Sequence, residues 1–120
     1  MNPWIRLSTG CAVLAMAACA AIVRPGNAEL AAGVRLYETG RLDDAARFLQ
    51  RSIDLGLDES DQVTAHKYLA FIHCAQGLEA QCGEEFRLAL AIRPSFDLDK
   101  AEAGHPTWGR VFRTVKAGRR

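Results

Sequence analysis

Charge of one sign, aromatic side chains and long apolar runs are all scarce in this chain. Formal net charge is +1 over 120 residues, which argues against a protein whose main work is wrapping nucleic acid, a task that needs a basic surface. The apolar run from Cys11 to Val23 is 13 residues, short of the ~20 that carry a helix across a bilayer. There is no Gly-rich phosphate loop, nucleophile elbow or His-Glu-x-x-His string, so the common phosphate-binding, acyl-transfer and zinc-protease signatures are missing. Aromatics are only 8%, yet hydrophobic residues reach 49% and charged residues 24%. That balance excludes disordered and collagen-like chains and fits one small compact domain.

The near-neutral total conceals a division. From Glu29 to Gly104 there are 14 acidic and 8 basic residues, a net of -6, whereas His105 to Arg120 holds five basic residues and no acidic one. Arg110, Arg113, Lys116, Arg119 and Arg120 therefore form a basic tail. It offers a surface for anionic lipid or an acidic partner; the alternative, which has more weight, is a solvated helix face whose charges complement the helix dipole.

The N-terminus has the layout of a signal peptide: Arg6 near the start, an apolar stretch rich in Ala, Val, Leu and Cys, then Arg24 and Pro25. Two processing sites compete. Met16-Ala17-Ala18-Cys19 resembles a bacterial lipobox, in which small residues fit the peptidase cleft and the cysteine thiol takes the lipid. Gly26-Asn27-Ala28 before Glu29 is a small-x-small pattern that would release a soluble periplasmic chain. The lipobox is favoured because the apolar region ends there at the usual length for such signals. Residues 1–18 are then the signal (or 1–28 with the later site), 19–29 a tether and 30–120 the folded domain. Ala20 after the lipidated cysteine implies the periplasmic side of the outer membrane.

With Cys11 and Cys19 in the signal region, Cys74 and Cys82 remain. An even pair in an exported protein reads as a disulfide. Gly77 lies between them, so an antiparallel helix hairpin turning there would bring them face to face. Closing so short a loop contributes roughly 2–3 kcal/mol. Free thiols, metal binding with His66 and His73, or redox work are the alternatives, but Cys-x7-Cys matches no common zinc spacing and redox pairs are more often Cys-x-x-Cys. No metal and no cofactor is expected.

Apolar residues recur at helical spacing on both sides of Gly40 and again on both sides of Gly77, which predicts two helix hairpins, Ala31 to Leu55 and Ala65 to Ile92. These resemble tetratricopeptide repeats. The family's small, turn, aromatic and terminal-proline places fall on Gly33, Gly40, Ala45, Leu49, Ser52 and Leu57 in the first unit, where Leu57 replaces the proline. In the second they fall on Ala70, Gly77, Cys82, Phe86, Ala89 and Pro94. The turn glycines are 37 residues apart, three more than the family period, with the excess in the polar DLGLDESDQ connection. Asp97 or Asp99 is placed to cap a short helix through Glu102, stopped by Gly104; Pro106 with Trp108, Val111, Phe112 and Val115 then predicts an amphipathic last helix covering the second repeat. The expected fold is all-α: two right-handed helical hairpins and a C-terminal capping helix.

The strings HKYLAFIHC, RPSFDL and AEAGHPTWGRVF are similar to the small tetratricopeptide lipoproteins of type VI secretion clusters, the TssQ kind, from about Val34 to Lys116. The resemblance implies an outer-membrane-tethered accessory of a secretion machine and brings no catalytic residues. A generic periplasmic adaptor or pilus-assembly factor is the alternative. The wider repeat family implies a partner groove on its first helices, here Leu30, Val34, Tyr37, Lys67, Tyr68 and Phe71, with core packing an equal reading for Leu30 and Phe71. The carboxylate pairs Asp43-Asp44 and Glu84-Glu85 are expected to be solvated caps at helix starts. His105 is expected to bond local backbone, and His66 and His73 to be packing or groove residues. No enzymatic activity is expected, and the partners are proteins of the envelope and, through the lipid, the membrane.

Overall fold

The computed structural model describes residues 23–119. The expected signal segment, Cys11 and Cys19 with it, and Arg120 lie outside the described residues. The domain is all-α, with α1 (Asn27–Glu38), α2 (Leu42–Leu55), α3 (Glu59–Ala75), α4 (Glu79–Ile92), α5 (Lys100–Ala103) and α6 (Trp108–Ala117). Helices α1 and α2 pack as one hairpin and α3 and α4 as a second, α2 lies on α3, and α6 lies on α4. This arrangement is consistent with tetratricopeptide-like hairpins followed by a C-terminal helix.

Each hairpin turns at a glycine in the left-handed region, Gly40 at φ 79° and Gly77 at φ 77°, a conformation that costs other residues roughly 1–2 kcal/mol. The small-residue places are filled as helix contact demands. Ala45, Leu49 and Ser52 of α2, and Cys82, Phe86 and Ala89 of α4, are fully buried. Ser52 removes the cost of its buried hydroxyl by donating to the Leu49 carbonyl at 2.6 Å. A β-carbon at Gly33 would come within 2.8 Å of Leu49 Cγ, so its absence lets α1 approach α2. Leu57, where the family's pattern has proline, is 6% exposed and anchors the connection in the first core cluster, and Asp58 caps α3 by accepting from the Asp61 N–H.

The sequence places the helices slightly late. Helix α1 starts at Asn27, inside the segment assigned to a tether, and α3 starts at Glu59 rather than near Ala65. Gly26 is already packed: its N–H donates to the Gly56 carbonyl at 2.9 Å, and a β-carbon there would overlap the Ser52 carbonyl oxygen. The C-terminal part follows the reading from caps and spacing. Asp99 and Glu102 form a reciprocal capping box on α5, Gly104 ends it, and α6 buries Val111, Phe112 and Val115.

Candidate protein-binding surface

Helices α1 and α3 carry the residues expected to meet a partner: Leu30, Val34 and Tyr37 on the first, Lys67, Tyr68 and Phe71 on the second. The structure brings four of them together. Tyr37 and Tyr68 meet edge to face at 5.1 Å between ring centroids, and Tyr68 meets Phe71 at 6.0 Å. The Lys67 ammonium lies 5.1 Å from the Tyr68 centroid and 5.8 Å from that of Phe71. Val34 packs instead against the first core cluster. Leu30 and Phe71 are buried, so for these two the core-packing reading is the one seen.

The chain's own C-terminal segment covers part of this surface. Trp108 of α6 stacks on Phe71 with centroids 4.4 Å apart, its indole N–H donates to the Glu102 carbonyl at 2.9 Å, and His105 stacks on its other side at 3.4 Å. His105 Nδ1 accepts from the backbone N–H groups of Thr107 and Trp108, which is the local backbone role expected for it. Glu102 reaches the Lys67 ammonium at 2.8 Å. Burial, then the neighbouring Tyr68 and the Glu102 carboxylate, push the Tyr37 hydroxyl above its ordinary value. What stays open to solvent is a partly exposed patch of Tyr37, Lys67 and Tyr68, bordered by Glu102.

No family model, curated protein or solved structure matches this chain. The functional reading therefore rests on its own residues.

The second hairpin is closed covalently by the Cys74–Cys82 disulfide, with Cα atoms 5.2 Å apart. Cys82 is fully buried at a close-contact place of α4, so the bond joins the helices inside the core. Helix α4 begins at Glu79, which puts Glu84 and Glu85 well inside the helix rather than at its start. Glu84 is exposed and accepts from Arg87, but Glu85 turns inward, with one carboxylate oxygen 2.7 Å from His66 Nδ1 and the other 3.9 Å from His73 Nε2. His73 Nδ1 is buried without a hydrogen-bond partner among the described residues. The carboxylate's helical phase, one turn after buried Cys82 three residues earlier, was the signal that it faces α3. Among the described residues no group of three or more His, Cys, Asp or Glu is placed to hold a metal ion.

At the first hairpin, Asp43 accepts from Gln76, the C-cap of α3, while Asp44 is held between Arg41 and Arg47, whose guanidinium hydrogen bonds keep its carboxyl below the ordinary range. The basic tail is largely engaged in holding α6. Arg110 pairs with Glu79 at 2.6 Å, Arg113 donates to the Ala103 carbonyl at 3.1 Å, and Lys116 lies 3.4 Å from an Asp97 carboxylate oxygen. Arg119 is exposed.

Proposed function

We propose that this chain is a non-enzymatic, protein-binding accessory or scaffold, exported and held at the periplasmic side of the outer membrane by a lipid on Cys19. The assembly it serves is an envelope machine, most specifically type VI secretion. The observation that carries the export part is the buried Cys74–Cys82 disulfide, because such bonds persist where thiols are kept oxidised. No helix among the described residues is long and apolar enough to cross a membrane; in this reading the attachment is the lipid. The packing of Gly26 favours processing at Cys19 over the later site. Cleavage after Ala28 would remove Gly26 with its bond to Gly56 and cut into the first turn of α1.

Binding is assigned to the patch of Tyr37, Lys67 and Tyr68. Tyrosines give large contact area at low entropic cost, and a lysine held over them adds charge selectivity. The type VI assignment is supported by the resemblance of HKYLAFIHC and AEAGHPTWGRVF. Affinity capture of the full chain from cross-linked envelopes of a secreting strain tests it. Recovery of a secretion component, lost with Lys67→Glu together with Tyr68→Ala, is the expected result. Recovery of a different envelope assembly, with secretion intact in a deletion strain, would replace type VI by a generic adaptor. For the anchor, Cys19→Ala leaves the chain unprocessed or releases it from the membrane; unchanged mass and membrane partition reject the lipid.

A further inference from the structure

The two flanks of α2 differ in charge and in cover. At 100° per residue, Asp43, Arg47, Gln50 and Asp54 share one flank, where Asp43 bonds Gln76, the C-cap of α3, and Gln50 bonds Asp54. The other flank carries Asp44, Phe48, Arg51 and Leu55, with Arg41 at the N-cap. Phe48 and Leu55 are 41% and 42% exposed, and Phe48 is the one exposed aromatic among the described residues. Between it and α1 lies a hollow of about 500 Å³ lined in part by Ala32, Arg35, Leu36 and Arg41. A second hollow, of about 200 Å³, lies between Phe48, Arg47 and Arg51. Four arginines thus surround Phe48, against one carboxylate, Asp44, already shared by Arg41 and Arg47.

The chain enters the domain beside the C-terminal end of this helix. Gly26 is bonded to Gly56, the residue after Leu55, and Val23 just ahead of it is 74% exposed. Seven Cα steps separate Cys19 from Gly26, a reach of at most ~25 Å when fully extended. A lipid on Cys19 therefore holds this end of α2 within ~25 Å of a bilayer surface, at a local concentration that an acidic protein arriving from solution does not match. Arginines whose stems lie along apolar surface, flanking an aromatic ring, suit the boundary between headgroups and acyl chains.

We propose that the flank of α2 bearing Phe48, Arg51 and Leu55, with Arg35 and Leu36 of α1, docks on an anionic phospholipid surface. The proposal rests on the lipid-anchored reading above for its tether. Each arginine near such a surface contributes roughly fivefold in binding, and added salt weakens the contact.

The test uses the full chain in vesicles of phosphatidylcholine with about 30% phosphatidylglycerol and brominated acyl chains, which quench nearby tryptophan. Two single variants at exposed positions, Phe48→Trp on α2 and Leu88→Trp on α4, are compared with the parent. Loss of emission from Phe48→Trp alone, diminished without phosphatidylglycerol and weakened roughly fivefold by Arg51→Gln, is expected. Equal quenching at both positions, none at either, or indifference to phosphatidylglycerol overturns the proposal. Binding of a soluble polyglutamate peptide at Phe48 without lipid quenching gives the face to a protein partner and also overturns it. Mass spectrometry of the same preparation reads the lipid on Cys19 separately. If the lipid is missing, the anchored reading fails, and the contrast between the two tryptophan positions in the same vesicles still decides the docking face.

Discussion

The two hairpins share a template and are tightened by different means. The first closes through close approach: Gly33 admits Leu49, and its core is a small aliphatic cluster of Leu30, Ala45, Leu49 and Leu57 completed by Ala65, Leu69 and Ile72 of α3. The second closes through a disulfide and an aromatic cluster in which Phe86 meets Phe71 at 6.2 Å and Phe112 at 5.1 Å, with Phe96 against Phe112. It is also covered by α6, whereas the far flank of α2 is left open. Burial is concentrated in the second unit, and the first depends on α3 for its own completion. Two repeats stand without a third because a disulfide and a capping helix take over what a neighbouring repeat would supply.

The largest break in this comparison comes from Phe86→Ala. The ring is fully buried between Phe71 and Phe112, and its loss costs about 3–5 kcal/mol, comparable to the whole stability of a marginal domain. Urea unfolding measures it. A loss below ~1 kcal/mol would mean that the aromatic cluster does not carry the second hairpin. Next is the double variant Cys74→Ala with Cys82→Ala, expected to cost roughly 2–3 kcal/mol. Hydrogen exchange should show the α3–α4 amides opening more than those of α1–α2; equal opening would mean that the disulfide serves both hairpins alike.

A paired glycine substitution separates the tight α1–α2 crossing from the looser contact of α4 with α6. Gly33→Ala drives a β-carbon to 2.8 Å from Leu49 Cγ and should cost about 1–3 kcal/mol. Gly83→Ala places one 3.6 Å from Val111 and Val115, ordinary contact distance, and should stabilise by up to ~1 kcal/mol through helix propensity. Changes of the same sign in both variants would remove the claim that the α1–α2 crossing needs a bare backbone where the contact of α4 with α6 does not.

Much of this fold is legible in the sequence because local chemistry and packing agree. Gly40 and Gly77 mark turns that need positive φ, Asp99 and Glu102 mark a cap, and the apolar spacing of Val111, Phe112 and Val115 marks a buried face. Helix starts at Asn27 and Glu59 were less visible, since polar first turns carry no apolar periodicity. The candidate surface was legible only as a set of positions. That Tyr37, Lys67, Tyr68 and Phe71 converge follows from helix phase, but their partial cover by Glu102, His105 and Trp108 depends on where a four-residue helix docks, which no local rule states. Glu85 was misread for a related reason. A paired Glu-Glu looks like a solvated cap until the true helix start at Glu79 fixes its phase toward His66.

The smallest expected effect lies where the two hairpins meet. Tyr37 of α1 packs on Tyr68 of α3, and its hydroxyl is shifted upward by burial, Tyr68 and Glu102. A raised value means that the fold favours the neutral phenol. Its contribution is full below the ordinary value of 10.0 and is lost as pH rises through the higher folded value. Tyr37→Phe keeps the ring and removes the ionisation. Parent and variant should therefore unfold at similar urea concentrations near neutral pH, and above about pH 10 the parent should fall faster. The effect is small because the hydroxyl is only partly shielded from water. A gap between the two that stays constant across the alkaline range would show that the junction of the hairpins is held by the ring alone, without the charge environment that Glu102 brings to it.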